Sequence, residues 1–169
     1  GIIGMIASQK NEVKKFVSVA GAGISAGDII REQLKAQPAV ILNQSLPIIE
    51  KLENGERVEN IPQMLYPLFR PSVQPYMISW FKYNPQIEIA KLNKPILIIQ
   101  GTTDIQVSVS DADKLASANK KSQKKIIEGM NHILKEAELD RQKNIQTYSM
   151  PDLPLKKELI EFIVKFIEE

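Results

Sequence analysis

The sequence predicts an α/β fold in which a mainly parallel sheet of about three strands is flanked by helices and interrupted by a helical insertion. Two observations lead to this prediction. Short apolar runs alternate with segments of helical spacing, and the clearest run, PILIIQGTTDIQV at 95–107, ends in a Gly-Thr-Thr-Asp turn. The 169 residues are 43% hydrophobic and 25% charged, which is enough for one substantial core.

The chain opens with a predicted helix and a predicted strand. Residues 1–9 combine small and apolar residues as a packed helix does. Residues 15–21 (KFVSVAG) are predicted as the first strand, because their centre is apolar or small throughout, as in a strand covered on both faces. A further helix is predicted from Asp28, with Asp28 itself as the N-cap.

The middle of the chain is predicted to be a helical insertion. Seven prolines punctuate about fifty residues of mostly helical pattern, which favours short helices over sheet. An aromatic cluster in this region is formed by Tyr76, Trp80, Phe81 and Tyr83. These rings either pack in a core or form a wall that faces a substrate.

The second half of the chain returns to strands. The apolar run before the Gly-Thr-Thr-Asp turn is the second strand, and 124–128 is the third. The segment between them has the form of a helix with a capping box at Ser110 to Asp113, so the connection is predicted to be a right-handed parallel crossover. Residues 155–167 form an amphipathic helix that covers a sheet face.

An acid and a base follow two successive strands. Asp104 comes after the second strand, and His132, the only histidine, comes after the third. Because the carboxyl ends of parallel strands share one edge, we expect the two side chains to be neighbours. A carboxylate at one imidazole nitrogen leaves the other free to act as a base. Asp104 and His132 are therefore the candidate catalytic residues, flanked by Thr103, Gln106 and Asn131 as candidate supports.

Composition excludes several kinds of chemistry. The chain has no cysteine, which excludes disulfides, thiolate catalysis and cysteine-ligated metals, and a single histidine argues against a protein zinc site. No apolar run reaches the roughly 18 residues that span a bilayer. The net charge is +2, and lysine pairs are scattered among acids without interleaved aromatic residues, which predicts solvated surface and no nucleic-acid partner. No signal-peptide pattern is present, so the sequence assigns no compartment.

Taken in order, these segments resemble the C-terminal half of an α/β-hydrolase of the serine-hydrolase superfamily with a helical lid. GIIGMIAS resembles the helix just after a nucleophile elbow, FVSVAGAG the sixth strand, PILIIQGTTDIQV the strand and loop of the triad acid, and GMNHILKEA the loop of the triad base. The resemblance implies a partial hydrolase core at 1–24 and 92–169 and a lid at 25–91. It also implies cofactor-free hydrolysis of a small carboxylic ester or amide through an acyl-serine, with His132 as base and then acid, and Asp104 orienting it.

The same resemblance implies that part of the machinery lies outside this chain. The nucleophilic serine and both oxyanion donors would precede Gly1, so the chain alone is expected to be nearly inert. The first strand would also lack a neighbour on one side. We therefore expect a homo-oligomer, or completion by an N-terminal fragment, through that edge. The alternative from another class is a non-catalytic truncated product that assembles through this edge.

A literal G-x-S-x-G motif offers a second interpretation. Gly23 to Gly27 (GISAG) lies between a predicted strand and a predicted helix, the context in which such a serine acts as a nucleophile. Ser25 would then be the nucleophile, 15–21 the fifth strand, and 38–43 (PAVILN) the sixth. The alternative for Ser25 is a polar loop residue near a helix start.

Overall fold

The computed structural model describes the whole chain, Gly1–Glu169, as two compact units. The first unit comprises Gly1–Gly23 and Pro85–Glu169, and the second comprises Ile24–Asn84. The strands of the chain are β1 (Phe16–Val19), β2 (Ile96–Gly101) and β3 (Ser122–Ile127). Its α-helices are α1 (Ile2–Ala7), α2 (Ala26–Leu34), α3 (Ala39–Glu53), α4 (Tyr66–Phe69), α5 (Gln74–Phe81), α6 (Pro85–Ala90), α7 (Val109–Ala118), α8 (Arg141–Gln146) and α9 (Lys157–Glu168), with 3₁₀ turns at Gln63–Leu65 and Thr147–Ser149.

The first unit is built on a three-stranded parallel sheet with the order β1-β2-β3. Phe16 pairs with Ile96, and Ile96 pairs with Ser122, so all three strands run in register from the same edge. Every residue of the central strand β2 is buried, since it has a strand on each side and helices on both faces. The predicted α/β fold with a parallel sheet of about three strands flanked by helices is confirmed.

Alternation along β2 divides the core of this unit into two layers. Ile96 and Ile98 pack on one face with residues of α1, α6 and α7, whereas Leu97 and Ile99 pack on the other face against α9. On the α9 side, Lys15 donates from Nζ to the carbonyls of Phe166 (2.7 Å) and Ile167 (2.9 Å). The ammonium thereby supplies partners for carbonyls that the last turn of a helix leaves open.

Helix α7, which connects β2 to β3, begins with a capping box two residues earlier than predicted. Ser108 is the N-cap and Asp111 is the N3 residue, and each side chain bonds the backbone of the other. The predicted box starting at Ser110 was wrong because that residue already lies in the first turn. Asp111 also accepts a hydrogen bond from the backbone N–H of Gly23 at 2.9 Å. Burial works against the charged carboxyl, but the donors from Ser108 and Gly23 outweigh it and lower the pKa of Asp111.

The second unit is entirely helical and has its own apolar core. The buried side chains of that core are Ala26, Ile30, Leu34, Ile48, Ile49, Leu52, Leu65, Phe69, Met77 and Phe81. Helix α3 continues through Pro47, although an interior proline removes one helical hydrogen bond. Residues 38–43 begin this helix, so the strand that the alternative interpretation of GISAG requires there does not exist.

A buried glutamine organises the loop of this helical unit. Gln74 is fully buried, its Nε2 donates to the carbonyls of Val58 and Phe69 at 2.8 Å, and its Oε1 accepts from the Val58 N–H at 2.9 Å. The side chain thus replaces the partners that these backbone groups would otherwise find in water. Residues 85–90, which the sequence grouped with the helical insertion, form α6 and pack against α1 and α7 in the first unit. No helix combines the length and apolar character that crossing a membrane requires.

Candidate active site

Asp104 lies in the turn that follows β2, and its carboxylate is completely engaged. Its side chain has no exposed surface. Oδ1 accepts from the backbone N–H of Gln106 at 2.8 Å and of Val107 at 2.9 Å, which is the pattern of an aspartate that closes its own turn. These two bonds leave Oδ2 directed away from the turn.

His132 meets that second oxygen. It follows β3, and its Nδ1 lies 2.9 Å from Asp104 Oδ2. The imidazole is 29% exposed, whereas the carboxylate is fully buried. Nδ1 is the donor because it faces a carboxylate oxygen, so Nε2 of the neutral ring carries a lone pair. Nε2 makes no hydrogen bond within the chain. The structure thus brings the two predicted residues together, with one nitrogen held and the other available to take a proton.

Hydrogen bonds from backbone N–H groups hold the two loops against each other. The backbone N–H of Thr103 donates to the Met130 carbonyl at 3.2 Å, and the N–H of Gly129 donates to the Thr102 hydroxyl at 2.9 Å. A Cβ at Gly101 would lie 1.8 Å from the Met130 carbonyl oxygen, so only glycine allows this approach. The spacing between the acid and the base therefore depends on the backbone at the ends of β2 and β3.

Two buried asparagine side chains form hydrogen bonds that support the loops of His132 and Asp104. Asn131 is fully buried; its Oδ1 accepts from the Lys135 N–H at 3.0 Å and its Nδ2 donates to the Thr147 hydroxyl at 2.8 Å. Asn144, also fully buried, donates to the Thr103 carbonyl at 2.7 Å. These bonds connect the His132 loop and the Asp104 loop to the segment around α8.

The three residues named as candidate supports take different positions. Asn131 braces the loop through its side chain, as described above. Gln106 contributes its backbone N–H to Asp104, while its side chain donates to the Tyr148 hydroxyl at 3.1 Å. Thr103 contributes its backbone groups, and its buried hydroxyl makes no hydrogen bond.

A buried amide that was not predicted from the sequence lies next to Asp104. Gln100, the penultimate residue of β2, donates from Nε2 to Asp104 Oδ2 at 2.9 Å. The available signal was its polarity, because it is the one polar side chain in the apolar run before Gly101. Asn144 and Thr147 were also overlooked, and nothing in the spacing of the sequence connects them to the site.

Ser25, the serine of the GISAG motif, acts as a helix cap. Its Oγ accepts from the Asp28 N–H at 3.2 Å and donates to Asp28 Oδ2 at 2.7 Å. It is the N-cap of α2, which corrects the prediction that Asp28 holds that position. The geometry is that of a strand-to-helix loop in which a hydroxyl satisfies an open helical N–H.

The aromatic cluster of the helical unit is divided between core and surface. Phe81 is buried in the apolar core, whereas Tyr76 is 64% exposed and Tyr83 is 39% exposed. Tyr76 and Trp80 pack with ring centroids 5.7 Å apart. No group of three histidine, aspartate or glutamate side chains in the chain is close enough together to hold a metal ion.

Comparison with known proteins gives structural matches but no sequence family. No family model matches the chain, and no curated protein sequence is similar to it. Its structure is similar to the enol-lactonase from Burkholderia xenovorans LB400 (TM-score 0.46, 13% identity, 99% of this chain and 62% of that one). It is also similar to Est1E from Butyrivibrio proteoclasticus (0.48, 16%, 98% and 56%) and to an alpha/beta fold family hydrolase from Bacillus anthracis strain Sterne (0.47, 11%, 78% and 57%). The chain spans about three fifths of the length of these structures.

Proposed function

We propose that this chain, whose sheet and crossovers are those of part of an α/β-hydrolase fold, supplies the acid and base of a Ser-His-Asp hydrolase that cleaves carboxylic esters or amides of small molecules. One observation carries the proposal. The buried carboxylate of Asp104 holds His132 Nδ1 at 2.9 Å at the carboxyl edge of a parallel sheet, while Nε2 makes no bond within the chain. The order in the chain, acid before histidine, is that of α/β-hydrolases.

The proposed chemistry follows from the two nitrogens of the imidazole. Nε2 of His132 would remove the proton of a serine hydroxyl as that oxygen attacks the carbonyl carbon, and would return it to the leaving alcohol or amine. Asp104 would hold the ring and stabilise the imidazolium formed in between. Water would then attack the acyl-serine with the same histidine as base. No cofactor enters any of these steps.

The nucleophile in this proposal is a serine outside the 169 residues. Ser25 is the serine with the matching motif, and its hydroxyl is committed to capping α2. The predicted lid at 25–91 would select the acyl or alcohol group, although the structure assigns Pro85–Ala90 of that range to the first unit. The exposed Tyr76 and Tyr83 of the lid are the rings of the aromatic cluster that remain available to a substrate.

A fluorophosphonate probe with peptide mapping tests this proposal. The protein made from its complete gene should carry the adduct on a serine outside these residues, and the 169-residue chain alone should carry none. In the complete protein, His132→Gln and Asp104→Asn should lower the labelling rate by about three to four powers of ten. Asp113→Asn is the matched control, because this exposed carboxylate of α7 forms an ion pair with Lys124 of β3 and has no contact with His132.

Two results would count against the proposal. An adduct on Ser25 would support the alternative in which GISAG is the nucleophile elbow. Labelling that is unaffected by His132→Gln would remove the acid and base pair from the mechanism altogether. If neither result is obtained, comparing the hydrolysis rates of nitrophenyl esters and nitroanilides would distinguish ester from amide substrates.

The second candidate function is assembly without catalysis, and β1 is the observation that favours it. β1 pairs with β2 alone, so the backbone on its other side has no strand partner within the chain. Such an edge is open to pairing with a second copy or with another segment. Sedimentation equilibrium over a range of concentrations should then give a dimer if the edge pairs with a second copy, and a monomer throughout that range would rule out such self-assembly.

A further inference from the structure

Gln100 is a polar side chain in an otherwise apolar, fully buried strand. On its face of β2 it follows Ile96 and Ile98, which pack in the apolar layer formed with α1, α6 and α7. Burying an amide in such a layer is unfavourable unless its polar atoms are hydrogen-bonded. We infer that Gln100 is a positioning residue that fixes the carboxylate of Asp104 for its contact with His132, an inference that rests on the proposed function of this pair.

The amide uses both of its N–H groups on the turn that carries the acid. Nε2 donates to Asp104 Oδ2 at 2.9 Å and to the Val107 carbonyl at 2.9 Å, while the Gly101 carbonyl lies at the outer limit of 3.5 Å. All three neighbours are oxygen acceptors. The opposite orientation of the amide would place Oε1 against them, so the surroundings fix which atom faces the carboxylate.

This arrangement gives each carboxylate oxygen two donors. Oδ1 has the two backbone N–H groups of its own turn, and Oδ2 has Gln100 and His132. Without Gln100, the histidine would be the sole partner of Oδ2, and it would hold that oxygen without a second donor. Because Gln100 also donates to the Val107 carbonyl, it connects the two ends of the turn that carries Asp104.

The amide oxygen of Gln100 indicates that the Nε2 donor is the useful part of this side chain. Gln100 Oε1 is buried and has no hydrogen-bond partner. An unsatisfied buried acceptor is unfavourable, and an apolar side chain of the same length would avoid it. The two bonds from Nε2 are therefore what this amide adds at this position.

The histidine is a built-in probe, because it is the only one in the chain. The test compares the wild-type chain with Gln100→Met, which keeps the length of the side chain and removes the donor. We expect the His132 Nδ1 proton, observed by NMR of the 15N-labelled protein, to exchange with water about tenfold faster in the variant. Gln9→Met is the matched control, since Gln9 donates to the carboxylate of Glu88 at 2.7 Å in another part of the unit and should leave this proton unchanged.

A second measurement on the wild-type chain covers the case in which Gln100→Met does not fold. In the wild-type chain, the side-chain amide protons of Gln100 should show a nuclear Overhauser contact with the Nδ1 proton of His132, because both groups donate to Asp104 Oδ2. The amide protons of Gln9 should show no such contact. Folded Gln100→Met with unchanged proton exchange, or absence of that contact in the wild-type chain, would overturn the inference. Neither readout needs a substrate, so absence of hydrolysis would refute the proposed function and leave this result standing.

Discussion

Replacing Gly101 by alanine should separate the two loops that carry the acid and the base. The added Cβ would lie 1.8 Å from the Met130 carbonyl oxygen and 2.6 Å from its carbon. Contacts below 3.0 Å are essentially never seen for a Cβ, so the backbone must move by at least the difference between 1.8 and 3.0 Å. The Thr103 N–H to Met130 bond, now 3.2 Å, would be lost in that movement.

The expected loss of stability combines two effects. Overpacking in a well-packed region costs about 1–3 kcal/mol, and the lost backbone hydrogen bond costs about 1 kcal/mol. The free energy of unfolding of Gly101→Ala should therefore fall by about 2–4 kcal/mol. Urea unfolding followed by circular dichroism should show this as a midpoint lower by about 1–2 M, for a slope of about 2 kcal/mol/M.

Two other glycines provide controls for the same substitution. Gly4 lies in α1 with its nearest neighbour, a ring carbon of Phe16, at 3.4 Å, so alanine there should be neutral or stabilise by about 0.5–1 kcal/mol. Gly55 has open space around it but a φ of +82°, so alanine there should cost about 1 kcal/mol through backbone strain alone. A midpoint for Gly101→Ala equal to that of Gly4→Ala would refute the steric reasoning.

Three further predictions concern stability elsewhere in the chain. Gln74→Leu should lower the free energy of unfolding by about 2–4 kcal/mol, because it leaves the N–H and the carbonyl of Val58 without their hydrogen-bond partners. Thermal unfolding should show no such loss for Gln33→Leu, since Gln33 is exposed. Lys15→Met should cost about 1 kcal/mol and speed amide exchange in the last turn of α9. The pKa of Asp111 is lowered in the folded state, so its stabilisation is complete above its ordinary value of 3.8 and disappears as the pH falls through the lower folded value. Between about pH 7 and about pH 2, the melting temperature of Asp111→Asn should fall less steeply than that of the wild-type chain. The variant should already have a lower melting temperature than the wild-type chain at about pH 7.

The sheet and the acid–base pair could be predicted because their signals are local. The run before Gly101 is apolar at nearly every position, which is typical of a strand buried on both faces. Parallel strands bring their carboxyl ends to one edge, so the positions of Asp104 and His132 followed from topology, without any knowledge of the loops.

Helix starts were predicted less well because several polar residues competed for each cap. Ser25 and Asp28 bond to each other, and either has a side chain suited to an N-cap; the backbone conformation at Ser25, extended at ψ 155°, decides between them. The same competition exists between Ser108 and Ser110 at the start of α7, whose hydroxyls lie 2.9 Å apart. Sequence spacing permits both solutions, and loop geometry selects one.

The supports of the site could not be predicted, because they act across long separations in the chain. Asn144 reaches a carbonyl 41 residues earlier, and Asn131 reaches a hydroxyl 16 residues later. No periodicity connects such positions. Gln100 could have been noticed, since a lone amide in a buried strand needs hydrogen-bond partners, but the sequence does not say that its partner is Asp104.

The contact between Asp104 and His132 depends on few residues, because each contact that supports it builds on the one before. The approach of the two loops is a backbone property that requires one residue without a side chain, Gly101. Backbone N–H groups of the turn then fix Asp104 Oδ1, which leaves Oδ2 to accept from other donors. His132 and Gln100 both donate to Oδ2, and together they hold the carboxyl group in place. A change at Gly101 should therefore disturb stability and the histidine together, whereas a change at Gln100 should disturb the histidine while the sheet remains intact.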